Sequence, residues 1–185
     1  ACALSSIELV GGWSSVIAQL VSGEHLSSAD AEVAMTAILR GEAQTSQIAA
    51  FVIALRAKGE SADELQGMLA AVIGASGVVE LPDNIAARAI DIVGTGGDKS
   101  HSVNISTMAS LVVAGAGIPV CKHGNRAASS QCGTADVLEA LGVAIDLDGA
   151  GVATCVTQAG MGFCFAPTFH PAFRHAGPTR KELGV

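Results

Sequence analysis

Aromatic residues make up only 3% of this 185-residue chain, with one Trp, five Phe and no Tyr. That scarcity argues against a base-stacking surface of the kind that grips single-stranded nucleic acid. A basic excess is missing as well: 10 Lys and Arg face 17 Asp and Glu, for a formal charge of −7. A sequence-independent nucleic-acid binder draws its affinity from phosphate neutralisation and normally carries the opposite sign. Any anion site here must be a local feature built from a few cations and backbone N–H groups. The five cysteines (Cys2, Cys121, Cys132, Cys155, Cys164) form no CxxC pair and are odd in number, which fits a reducing compartment better than a disulfide framework. Apolar runs of membrane-spanning length are lacking. The N-terminus has no basic leader with a clear apolar stretch behind it, so a cytoplasmic location is expected.

What is present is aliphatic. Half of the residues are hydrophobic and 15% are charged, a balance that supports a packed core. Four stretches repeat the i, i+3, i+4, i+7 spacing of a buried helical face: Trp13, Val16, Ile17, Leu20; Ala31, Ala34, Met35, Ile38; Ile48, Phe51, Val52, Leu55; and Leu65, Met68, Leu69, Val72. Gly23, Gly41, Gly59 and Gly74 are the expected stops. Ser27 or Ser28 is placed to cap the second helix, and Ser61 with Glu64 has capping-box spacing before the fourth. Residues 1–80 are therefore expected to form a small helical domain.

From residue 81 the texture changes. After Pro82 and a helical stretch around Asn84–Arg88, apolar runs at Ala89–Val93, Ile118–Lys122, Val143–Ile145 and Gly162–Ala166 read as strands. Helices are expected near Ser106–Ala114, Thr134–Leu141 (stopped by Gly142) and Val152–Val156. The alternation predicts the α/β class, with a mostly parallel sheet flanked by helices over residues 81–185. Ligands of such sheets bind at the carboxyl ends of the strands, where the loops after Val93 and after Lys122 fall.

The first of these loops, Gly94-Thr-Gly-Gly-Asp98, is neither a Rossmann fingerprint, which needs Gly where Lys99 stands, nor a P-loop. It keeps their physical logic: glycines allow close approach of the main chain and present successive N–H donors. Ser102, Asn104, Ser106 and Thr107 crowd polar groups at the next helix start, where free N–H groups and the dipole favour phosphate. A plain tight turn with capping residues is the alternative. The second loop, Lys122-His-Gly-Asn-Arg126, sets two cations around a Gly. Lys supplies a point charge and Arg a planar fork for phosphate oxygens; a solvated surface loop is the alternative here.

In this order and spacing, the segments GTGGD, Asn104-Ile-Ser-Thr107, KHGNRAASS (Lys122–Ser130) and Thr134-Ala-Asp-Val-Leu-Glu139 resemble those of anthranilate phosphoribosyltransferases. The tail segments Phe165-Ala-Pro-x-Phe-His-Pro171 and Pro178-x-Arg180-Lys-Glu-Leu-Gly184 extend the likeness over nearly the whole chain. The resemblance implies a fold of the nucleoside phosphorylase and phosphoribosyltransferase type. It implies that Gly94, Gly97, Asp98, Ser102, Asn104, Ile105, Ser106 and Thr107 bind phosphoribosyl pyrophosphate, with Ser106 also reaching Mg²⁺. Lys122, His123, Gly124, Asn125, Arg126, Ala127, Ala128, Ser129, Ser130 and Thr134 would complete the donor site. Gly94, Asn125 and Arg180 would contact anthranilate. It further implies a homodimer through the helical domain and a place in tryptophan biosynthesis.

The departures are modest. Lys99 stands where Gly is common, Ser102-Val103 replaces the frequent Thr-Phe, and Cys132 and Thr134 replace serines. The family continues past its R-K-E-L-G segment into a part that carries an Asp-Glu pair for magnesium, so residues 81–185 are expected to be the start of a longer α/β domain.

The implied reaction is attack of the anthranilate amine on the donor's anomeric carbon, with pyrophosphate leaving. An aromatic amine is already neutral, so no strong base or covalent nucleophile is called for. Lys122 and Arg126 are expected to help electrostatically, and Asn125 to orient the amine. His123 reads equally as a substrate contact or a structural hydrogen bonder. The irregular spacing of Cys164, His170 and His175 argues against zinc. Two other functions fit the same architecture, a pyrimidine nucleoside phosphorylase and a non-enzymatic nucleic-acid-binding paralogue. The KHGNR loop argues against the first, and the charge and aromatic scarcity against the second.

Overall fold

The four apolar stripes fold as four helices: α1 (Gly12–Val21), α2 (Ser28–Leu39), α3 (Thr45–Lys58) and α4 (Ala62–Gly74), preceded by a 3-10 turn at Ser6–Val10. They are seen in a computed structural model that describes residues 6–94, 103–127 and 132–184. Gly23, Gly41 and Gly59 take positive φ at three of the four expected stops, and Gly74, the fourth, is the last residue of α4. The Ser27 hydroxyl accepts from Asp30 N–H, and Ser61 with Glu64 closes a full capping box. Trp13, Val16, Leu20, Ala31, Ala34, Ile38, Ile48, Phe51 and Leu55 are buried as their spacing predicts. Trp13 meets Phe51 edge to face at 5.8 Å between ring centroids, a preferred aromatic geometry.

The fourth helix presents a different face from the one expected. Leu65 and Leu69 are 54% and 58% exposed, and Glu64, Gly67 and Ala71 face the core instead. The reason is the partner surface. The side of α2 that meets the core is largely alanine (Ala31, Ala34 and Ala37 are all fully buried), and α4 packs directly on this helix. A Cβ at Gly67 would overlap the Ser28 carbonyl oxygen. Two backbones so close require the small residues of α4 between them, which turns its leucines outward.

The chain divides into two compact units. The helical unit ends at Ser76 and takes up the segment from Ala172 onward, while the second unit spans Gly77–Pro171. The expected division was 1–80 and 81–185. The tail packs with the helices because Ala176 is buried within their core and the His175 ring lies against Gly41. This tail holds a 3-10 turn at Pro171–His175 and α10 (Gly177–Leu183).

The second unit is α/β. It contains α5 (Asp83–Ala86), α6 (Ile105–Gly115), β1 (Val120–Gly124), α7 (Thr134–Ala140), α8 (Gly149–Ala159), β2 (Met161–Phe165) and the short α9 (Ala166–Phe169). The strands β1 and β2 pair in parallel, Val120 opposite Met161 and Gly124 opposite Phe165. Two apolar clusters surround them: Ala135, Leu138, Ile145 and Phe163 form one, and Val152, Val156, Cys164 and Phe169 the other.

Two expected strands differ from expectation. Ala89–Val93 contributes a single parallel bridge, Ile90 to Val120. The ladder stops there because side chains take its next partners. The Asp91 carboxylate accepts His123 N–H at 3.1 Å, and the Lys122 ammonium donates to the Ile92 carbonyl. Val143–Ile145 forms no strand. Ile145 is buried against α7 and β2, so its apolar character serves side-chain packing, while Val143 N–H closes the end of α7 on Leu138 O.

Candidate active site

The carboxyl end of the small sheet gathers the described parts of both sequence loops. Lys122 lies on β1 with its side chain 1% exposed, and its ammonium is bound to the Ile92 carbonyl, two residues before Gly94. Burial lowers the Lys122 pKa and the nearby Asp91 opposes that shift, as expected for a cation taken from water beside one anion. Gly94 sits over the first turn of α6; a Cβ there would lie 3.7 Å from Ser106 Oγ. The start of α6 is tied to the start of α7: Asn104 Nδ2 donates to Cys132 O at 3.3 Å, and Thr107 Oγ1 to Thr134 Oγ1 at 3.3 Å. Thr107 is 1% exposed, so this hydroxyl pair is an internal strut.

The basic loop is held just as firmly. Asn125 O accepts Ala135 N–H at 3.1 Å, and its side-chain Oδ1 accepts Arg126 N–H at 2.8 Å. Gly124 is where β1 passes closest to its neighbours: an added Cβ would sit 2.8 Å from Phe163 Cε2 and 3.1 Å from Thr134. The Arg126 guanidinium binds Asp136 at 2.9 Å and both oxygens of Glu139 at 2.8 and 3.1 Å, and it lies 5.7 Å from the centroid of the Phe165 ring. Glu139 and Asp136 hold it protonated still further above its ordinary range. In return, Arg126 lowers the Glu139 carboxyl. The N–H groups of Gly133 and Ala127, together with Arg126, lower that of Asp136. Both cations of the loop are thus anchored within the chain, Lys122 by the Ile92 carbonyl and Arg126 by Asp136 and Glu139.

His123 packs edge-on against His170 at 5.1 Å between ring centroids, and its Nε2 is buried without a hydrogen-bond partner among the described residues. Burial, then His123, lowers the His170 pKa. Behind the site, Cys121 and Cys164 bring their sulfurs to 3.6 Å across the two strands. That contact lowers the Cys121 thiol and raises the Cys164 thiol. Arg180 is an exposed residue of α10 in the helical unit. Gly97, Asp98, Ser102, Ala128, Ser129 and Ser130 lie outside the described residues.

Three groups in this arrangement were not singled out from the sequence: Asp91, Asp136 and Glu139. Asp136 and Glu139 sit at i and i+3 of a helix whose start was legible, ten and thirteen residues beyond Arg126, so spacing could have paired them with it. For Mg²⁺ the described residues offer the Ser106 hydroxyl, a hard oxygen donor of the kind the ion prefers. Among the described residues no group of three or more His, Cys, Asp or Glu side chains is arranged to hold a metal ion. The ion would therefore draw its other ligands from bound phosphates or from elsewhere.

The chain, with its helical unit and its parallel α/β unit, belongs to the glycosyl transferase family. The family's a/b-domain model matches residues 86–185 and its helical-bundle model residues 14–76. Within the family the chain is similar to anthranilate phosphoribosyltransferases. It is 60% identical over 173 residues to the enzyme of Salinispora arenicola, covering 94% of this chain and 49% of that protein. Among solved structures, the enzyme from Thermus thermophilus matches with a TM-score of 0.84 at 41% identity, over 92% of this chain and 51% of that one. The Saccharomyces cerevisiae enzyme in complex with PRPP and Mg matches with a TM-score of 0.84 at 30% identity, over 94% and 51%. The chain thus spans about half the length of the relatives it matches.

Proposed function

We propose that the protein transfers the phosphoribosyl group of phosphoribosyl pyrophosphate to the amine of anthranilate, giving N-(5-phosphoribosyl)anthranilate and pyrophosphate. It would act in tryptophan biosynthesis, in the cytoplasm. The observation that supports this reading best is the joining of the two loops: Lys122 binds the Ile92 carbonyl beneath Gly94, while Asn104 and Thr107 bind Cys132 and Thr134. A diphosphate lying over that seam would meet backbone N–H groups, the Ser106 hydroxyl and the field of a buried ammonium together.

In the reaction the amine lone pair forms the new C–N bond as the bond to pyrophosphate breaks. Negative charge grows on the leaving oxygens while the ribose gains cationic character. The chain's part is to hold donor and acceptor in line and to offer fixed donors to the leaving group. Lys122 places its ammonium at the Ile92 carbonyl, two residues before Gly94, as a local positive charge for the donor. Arg126, anchored by Asp136 and Glu139, fixes the loop more than it binds phosphate. Asn125, its oxygen taken by Arg126 N–H, keeps its amide N–H groups to meet the acceptor. Mg²⁺, held through Ser106 and the donor's own oxygens, would supply further charge neutralisation at the leaving group. The roles of Gly97, Asp98, Ser102, Ile105, Ala128, Ser129 and Ser130 at the donor, and of Gly94, Asn125 and Arg180 at anthranilate, rest on the resemblance. A homodimer through the helical unit is part of the same reading.

The test is direct. The complete gene product, mixed with Mg²⁺, phosphoribosyl pyrophosphate and anthranilate, should consume anthranilate, followed by loss of its fluorescence. Absence of turnover together with absence of donor binding in calorimetry would rule the activity out.

A further inference from the structure

Ala127 and Gly133, six residues apart, both donate to the same atom. Asp136 Oδ2 accepts Ala127 N–H at 3.1 Å and Gly133 N–H at 2.8 Å, while Asp136 Oδ1 accepts Arg126 Nη1 at 2.9 Å. The ends are pressed together so tightly that a Cβ at Gly133 would overlap the backbone of Arg126 and Ala127. Asp136 itself cannot drift. It rides on α7, whose neighbouring positions Ala135 and Leu138 are 0% and 1% exposed in the core beside Phe163. One turn further on, Glu139 takes the remaining face of the Arg126 guanidinium.

We infer that Asp136 is a positioning residue for the basic loop: its carboxylate pinches the two ends of the loop together and holds Asn125 and Arg126 at the carboxyl end of the sheet. Hydrogen bonds to an ionised acceptor are about twice as strong as neutral ones, and three converge on this side chain. An amide in its place would keep one oxygen for both N–H groups but turn its own NH₂ toward the guanidinium. Asn therefore preserves the pinch and Ala abolishes it. The pinch stands on geometry alone; its consequence for donor binding rests on the function proposed above.

Two measurements on the complete gene product separate these points. Asp136→Ala should speed amide hydrogen exchange at Ala127 and Gly133 and raise the Kd of phosphoribosyl pyrophosphate about tenfold or more, as expected for losing hydrogen bonds to a charged group. The donor KM should rise more than kcat falls. Asp136→Asn should restore slow exchange and bring the donor Kd back to within about threefold of wild type, the loss of a half-exposed ion pair. Unchanged exchange in Asp136→Ala would overturn the pinch. Faster exchange with a wild-type donor Kd, or an Asn variant that keeps slow exchange yet binds donor as poorly as the Ala variant, would overturn the positioning role. Should Asp136→Ala fail to fold, Gly133→Ala pries the same ends apart from the other side and carries the same expectations. Wild-type protein that binds no donor would sink the proposed function while the exchange result still decides the pinch.

Discussion

Glu64 is a carboxylate with no exposed surface, and it survives there because four groups, one of them an ammonium, converge on it. It accepts Leu26 N–H at 2.9 Å, Ser61 N–H at 2.7 Å and the Lys58 ammonium at 2.9 Å, with His25 Nδ1 at 3.3 Å. Burial raises its pKa, but the bonds from Leu26, Lys58 and Ser61 outweigh that and hold it at about 2. A carboxyl lowered on folding stabilises the native state above its unfolded pKa, and this contribution is lost as pH falls through the folded value. From an ordinary 4.5 to about 2, that contribution is on the order of 3 kcal/mol at neutral pH. Glu64→Gln should therefore lower unfolding stability by about that amount at pH 7, with the gap from wild type closing between pH 4.5 and 2. Urea titrations across that range measure it, and a gap independent of pH would contradict the assignment. The capping box with Ser61 was legible because it spans three residues. The partner at Leu26 was not, because it lies 38 residues away. A comparable separation hid the fate of Lys122, whose carbonyl partner is 30 residues upstream. Residue type singled out Lys122 and Arg126 as candidate site cations, whereas their partners within the chain, set by tertiary pairing, were not legible.

Between elements, side-chain volume governs. The α2–α4 contact depends on Gly67, where a Cβ would run into backbone rather than a movable side chain. Gly67→Ala should cost about 1–3 kcal/mol as the helices are forced apart. Gly74, at the end of the same helix with open space around its missing Cβ, is the control. Gly74→Ala should be neutral or stabilising by up to ~1 kcal/mol through helix propensity. Thermal unfolding of the two variants compares them directly, and an equal effect would refute close packing as the cause. This contact also explains where reading by hydrophobicity failed. Period 3.6 located all four helices and, in three of them, the buried face. In α4 the leucines outweigh Gly67 and Ala71 on any hydropathy scale, but steric fit to an alanine surface counts for more. Likewise Ile90 and Ile145 are apolar for different reasons, one beginning a ladder that Asp91 cuts short and the other filling a core. An apolar run alone cannot tell these apart.

At the scale of the molecule, the outward turn of α4 leaves Leu65, Leu69 and Ile73 exposed at 54%, 58% and 65%. Spaced by four, they form one apolar stripe along a helix. Single exposed leucines are ordinary, but a contiguous row on a chain with charge −7 is costly to leave in water. The homodimer proposed for the helical unit gives the row a partner, a second copy of the same stripe, and a two-fold interface would set like against like. Leu69→Lys places two ammonium groups near the centre of such an interface, where burying a charge beside its like is strongly unfavourable. The complete gene product should sediment as a dimer at micromolar concentration, and the Leu69→Lys variant should shift to monomer with its donor Kd unchanged. Sedimentation velocity reads the first result and calorimetry the second. A wild-type monomer, or a variant that remains dimeric, would remove α4 from the interface and return its leucines to the ordinary exposed apolar surface of a soluble helix.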